Sequence, residues 1–194
     1  MCMLLWVIFA SLSVVGLAQE SDDSDIARSL SKKETRETAI DLIEASPDNK
    51  LSVLLSWIVK APADVDRLEL YIGLADTFGR MRLKEAIPFL VKYICIPRTP
   101  DRPNIWLKSQ EAIEQQLPAV GALVRIGSEA SNFLIGVPWD ERPRAERMAG
   151  VFVVARIGDS RARAFLIEAL RQPKPERDFA AEGLERIRRA NAKR

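Results

Sequence analysis

At 194 residues the chain is long enough for one domain with a sizeable apolar core. Its apolar (47%) and charged (29%) fractions are those of an ordinary soluble globular protein, and 29 Lys and Arg against 27 Asp and Glu leave no large field to draw nucleic acid. There is no histidine, so a Ser–His–Asp triad, a Cys–His pair and a His-based zinc site are excluded within the chain. Aromatic residues make up only 7%, and the richness in Ala, Leu, Ile and Arg favours helix over sheet.

The first segment, Met1 to Ala18 (MCMLLWVIFASLSVVGLA), carries no charge, and Gln19-Glu20-Ser21-Asp22-Asp23 turns abruptly polar. Small residues at Gly16 and Ala18 suit a signal peptidase, so cleavage is expected at Ala18–Gln19. No Lys or Arg precedes the apolar run, and about 18 apolar residues is also the lower limit for a membrane span, so an uncleaved anchor is the alternative. Either way the remainder is expected outside the cytoplasm, periplasmic or secreted, with no membrane insertion of the mature chain if the signal is removed. Residues 19–25 read as a mobile acidic segment and 26–192 as one domain.

Along that domain one pattern recurs: an apolar helix, a glycine, then a second apolar helix. It appears at Leu74–Gly79 with Ala86–Leu90, at Ala122–Ala130 with Phe133-Leu134, and at Val153–Ala162 with Phe165-Leu166. A further copy begins at Phe179–Ile187, and a degenerate earlier one lies at Ala39–Glu44 with Leu51–Lys60. Ile43 to Phe78 spans 35 residues, Ile126 to Ile157 spans 31 and Ile157 to Ile187 spans 30. The longer interval, 48 residues from Phe78 to Ile126, holds a proline-rich insertion. Paired helices at such periods predict a solenoid in which each unit buries its apolar face on its neighbours. Gly79, Gly127 and Gly158 are expected to turn the chain at helix ends in the left-handed region, and Ser128 and Asp159 to cap the helices that follow.

The predicted helices are Asp25–Ala45, Asn49–Lys60, Asp64–Phe78, Leu83–Cys95, Lys108–Gln116, Pro118–Ile126, Ser128–Leu134, Glu141–Ile157, Asp159–Arg171 and Pro175–Ala192. Pro118 is read as opening its helix at the first position.

The Ala/Leu/Val helix ending in Ile-Gly, a small or acidic residue, Ala and a Leu-bearing helix resembles the short-period branch of the HEAT-like repeat family. The likeness is best over Leu70–Ile94 and Leu117–Arg189. It implies an all-α fold, an α-solenoid of about four to five antiparallel helix pairs, and a role in protein binding. That branch also includes phycobilisome lyases, which attach bilins to cysteines. With no histidine, an export signal and one ordinary cysteine, this chain is not expected to carry that activity.

Two loops interrupt the repeat. Pro97–Trp106 holds three prolines, Arg98, Arg102 and Trp106, and Val137–Arg144 holds Trp139 and Arg142. Arg and Trp are enriched at protein interfaces and insertions in repeat proteins often line the binding face, so these five residues are candidate partner contacts. The alternative is that Trp106 and Trp139 cover the ends of the core. Arg125 and Arg156 stand before the Ile-Gly joints, with Arg186 in the equivalent place. They read either as a basic ladder for a carboxylate-rich partner or as counter-charges to helix C-termini. Glu111 and Glu114 lie one turn apart without a distinctive setting. Cys95, the one cysteine of the mature chain, reads as a small buried hydrophobe rather than a reactive thiol. No catalytic, cofactor or metal site is expected. The expected function is a non-catalytic exported scaffold that binds a protein partner; the alternatives are a membrane-tethered structural subunit and an enzyme or accessory using carboxylates alone.

Overall fold

A computed structural model describes residues 24–45, 52–57, 60–99 and 105–193. The expected signal Met1–Ala18, the acidic stretch Gln19–Asp23 and Arg102 lie outside the described residues. Within them the protein is all-helical: eleven α-helices and no strand. The chain divides into two compact units, Met1–Leu74 and Ala75–Arg194.

In the first unit α1 (24–30) and α2 (Arg36–Ala45) replace the single helix predicted over Asp25–Ala45. Ser31-Lys32-Lys33-Glu34-Thr35 offers no apolar residue to a core. Its hydroxyls bond the backbone instead, Ser31 Oγ to the Arg28 carbonyl at 2.9 Å and Thr35 Oγ1 to the Ser29 carbonyl at 2.8 Å. Such local bonds compete with the helical ladder, and the helix stops. Arg36 then closes the end of α1: buried, it donates from Nε to the Leu30 carbonyl (3.0 Å) and pairs with Glu69 at 2.5 Å. Helices α3 (52–57) and α4 (Arg67–Arg80) complete the set, α4 running across the division at Leu74. Leu30, Ile40, Ile43, Leu54 and Leu70 form the core of this unit.

The second unit contains α5 (Ile87–Lys92), α6 (Gln110–Gln116), α7 (Pro118–Ile126), α8 (Ser128–Leu134), α9 (Arg144–Ile157), α10 (Arg163–Ala169) and α11 (Glu176–Asn191). Here one packing relation repeats. Each odd-numbered helix rests on the next but one, α5 on α7, α7 on α9 and α9 on α11, while α8 and α10 bridge consecutive members. Helix α9 is the most enclosed: Val151, Phe152, Val153, Val154 and Ala155 are all buried in succession. A helix apolar on every side requires neighbours on every side.

The glycines divide by cause. Gly158 ends α9 at φ +69°, ψ +33°, the left-handed joint the sequence predicts, and the Asp159 side chain accepts from the Arg161 N–H. Gly127 ends α7 at φ +82° but with ψ −134°, and Ser128 makes no cap hydrogen bond. Gly79 corrects the expectation. Helix α4 continues past it to Arg80, and the positive φ (52°) falls on Arg82. A Cβ at Gly79 would lie 2.6 Å from Ala122 Cα, so glycine is needed there for helix crossing, not for turning.

Candidate functional site

The proline-rich loop is sewn to α6 at its first leg. The Arg98 guanidinium grips Asp76 with two bonds of 2.9 and 2.6 Å, and its Nε donates to the Gln115 carbonyl at 2.9 Å. The Arg98 backbone N–H meets the Gln116 carbonyl at 2.8 Å, while Gln116 returns its amide to Thr99. These bonds satisfy carbonyls that a helix C-terminus leaves open. Trp106, partly exposed, lies 6.5 Å from Phe152 and 6.3 Å from Phe179, whose rings meet edge-on at 5.1 Å. It closes the aromatic seam between α9 and α11.

Trp139 is 6% exposed, donates its indole N–H to the Leu134 carbonyl at 2.8 Å, and lies against Gly150, where a Cβ would come within 2.6 Å of the ring. Arg142 stacks over that ring at 5.6 Å and pairs with Glu146 at 3.0 Å. Both candidate tryptophans and both placed loop arginines are therefore engaged within the chain.

The arginines in register behave differently from one another. Arg156 of α9 is clasped by α6, with Glu114 at 2.5 Å and Glu111 at 3.5 Å. The Glu111 carboxyl is held below its ordinary range, chiefly by a bond from its own backbone N–H, with the Ser109 hydroxyl and the Arg156 charge adding to the effect. Arg125 of α7 is exposed, its guanidinium near Gly79, and has no ion pair among the described residues. Arg186 of α11 lies with its Cδ over Gly158, and its Nε is buried without an acceptor. An uninterrupted basic ladder is not formed, because its middle member is neutralised.

The expected sites did not include Glu176, which is fully buried in the first turn of α11 and held by Arg147 at 2.9 Å and Arg144 at 3.4 Å from the first turn of α9. Arg144 also donates to the Lys174 carbonyl at 2.8 Å. Two basic residues three apart and one acidic residue some thirty residues on are too common a pattern to announce this pairing.

An open groove of about 500 Å³ lies between α10 and α11. Ile167, Leu170, Leu184 and Ile187 line it, with Arg163, Glu185 and Arg188 at its margins. Ile167 is 48% exposed. On α9 the positions thirty residues earlier, Val151, Val154 and Ala155, are buried, and Gly183 of α11 sits so close that a Cβ there would be 2.7 Å from Ala155. Their counterparts on α11, Ala181, Leu184 and Glu185, are exposed or half-buried. Glu185 bonds Arg188 at 2.7 Å and Arg189 at 2.8 Å, which pull its carboxyl down to about 2. Arg163 is exposed and has no ion pair among the described residues.

Burial pushes the Cys95 thiol up to about 12, with the Glu146 charge adding to it, so almost no reactive thiolate exists near neutral pH. Among the described residues no helix is long and apolar enough to cross a membrane, and no three His, Cys, Asp or Glu side chains gather as metal ligands. Comparison with protein-family models, curated proteins and solved structures finds no match to this chain.

Proposed function

We propose that this protein is a non-catalytic, exported α-solenoid of HEAT-like helix pairs that binds a protein partner. The supporting observation is the repeated packing of α5, α7, α9 and α11, each on the next but one, ending in a groove whose apolar wall is left open. A stack of this kind offers faces, and the open α10–α11 groove is one with apolar surface to bury. The uncharged run Met1–Ala18 supports export. An intact Met1 in mass spectrometry of the mature chain would favour a tethered form.

The binding reading is tested by photo-crosslinking in living cells, with the crosslinker at Leu170 and a second chain carrying it at Glu129 on α8. A discrete crosslinked product from Leu170, lost in Ile167→Asp with helicity retained, is the expected result. Absence of any product from Leu170, or one equally abundant in Ile167→Asp, would contradict it.

A further inference from the structure

We propose that the α10–α11 groove receives an acidic amphipathic helix of a partner protein. The inference rests on the interaction reading above and names the chemistry of the occupant.

Shape comes first. The face of α9 thirty residues earlier is covered: Val151, Val154 and Ala155 are buried, Ala155 against Gly183 of α11. The matching face of α11 presents exposed Ala181 and half-buried Leu184 above buried Ile187, and Ile167 and Leu170 of α10 complete the wall. Leu184, Ile187 and Asn191 follow one another at three and four residues, so they run along about two turns, or roughly 10 Å, of one helix side. An occupant with apolar side chains at i, i+3 or i+4, and i+7 has the matching spacing.

Charge selects among helices. On the α10 margin Arg163 has no ion pair among the described residues, and on the α11 margin Arg188 shares the Glu185 carboxylate with Arg189. Arg186, Arg189 and Lys193 line a separate hollow with Glu182 and Glu185, so the charges of the groove itself are Arg163, Arg188 and Glu185, an excess of one cation. A partner helix flanked by Asp and Glu meets these cations with opposite charge. A second copy pairing two-fold through this groove would set the same cation-bearing patch against itself. The excess of cations therefore favours a different, acidic chain.

The test uses the purified protein and two fluorescein-labelled peptides of about 15 residues with the same Leu spacing, one carrying Glu on its flanks and the other Lys. Anisotropy titration is expected to show the Glu peptide binding at least about tenfold more tightly, with the difference shrinking as salt rises. The Arg163→Glu/Arg188→Glu protein is expected to reverse the preference, and Arg163→Gln/Arg188→Gln to remove it, with helicity checked by circular dichroism. Binding of neither peptide, equal binding of both, a preference unmoved by the charge changes, or concentration-dependent self-association through this face would overturn the proposal. So would binding to vesicles containing phosphatidylglycerol that Ile167→Asp abolishes while the Glu peptide fails to bind. If the Leu170 crosslink of the preceding section stands while the peptides show no charge preference, the face binds a partner but not an acidic helix. If both fail, the interaction reading of this face fails with it.

Discussion

Helices α9 and α11 carry equivalent positions at a spacing of thirty residues, yet they live in different surroundings. Val154 of α9 is fully buried, while Leu184 of α11, the larger side chain, is only half-buried. Arg156 is clasped by two carboxylates, while Arg186 has none among the described residues and buries an Nε without an acceptor there. The same apolar spacing is core on α9 and partly surface on α11, because burial comes from what packs against a helix rather than from the helix itself.

The ion pairs that join the two helices give the largest expected loss. Arg147→Leu leaves Glu176 fully buried with only the longer Arg144 contact. Breaking a buried pair from one side should cost about 3 kcal/mol, measured by urea unfolding, and Glu176→Leu in the same background should recover much of it. Next comes the register pair itself. Val154→Ala should cost about 2 kcal/mol and Leu184→Ala less than about 1, because the second side chain gives up little buried area. Equal losses would erase the contrast between interior and end.

A smaller difference separates the arginines. Arg156→Met removes a close charged bond and leaves Glu114 partly buried without its partner, a loss of about 1 kcal/mol. Arg186→Met removes a donor that has no acceptor and should leave stability within about 0.5 kcal/mol of the original or raise it. Smallest is the effect of acid on the end of α11. The folded value of Glu185, about 2, lies below the ordinary 4.5. Its favourable contribution is therefore present above about pH 4.5 and lost as pH falls toward 2. A carboxyl NMR titration should place its midpoint near 2, and Arg188→Gln/Arg189→Gln should return it toward 4.5.

How much of this could be read in advance depended on whether the cause was local. The bounds of α7 (Pro118–Ile126) and α8 (Ser128–Leu134) agree with the sequence prediction because their punctuation is adjacent: Pro118 at the first helical position and Gly127 at the stop. Gly79 misled, since a glycine required by helix crossing and one required by a turn are the same letter. The break at Ser31–Thr35 went unforeseen because hydroxyl-to-carbonyl bonds there overrode a sequence whose helical propensity is acceptable. Arg98, Trp106 and Trp139 stand out in the sequence as candidate partner contacts, but their intramolecular partners Asp76, Phe152 and Leu134 are fixed only by the fold. The α10–α11 groove left no local trace, because an uncovered face has the same apolar spacing as a covered one.

Residue-resolved hydrogen exchange of the full chain, with and without the Glu-flanked peptide, tests the central claim most directly. Amides of Phe152–Ala155 in α9 should exchange only through global unfolding, and those of Leu184–Arg188 in α11 through cheaper local opening. The peptide should slow exchange in α10 and the second half of α11 and leave α7 unchanged. Equal protection of α9 and α11 in the free protein, or slowing confined to another surface, would contradict the account.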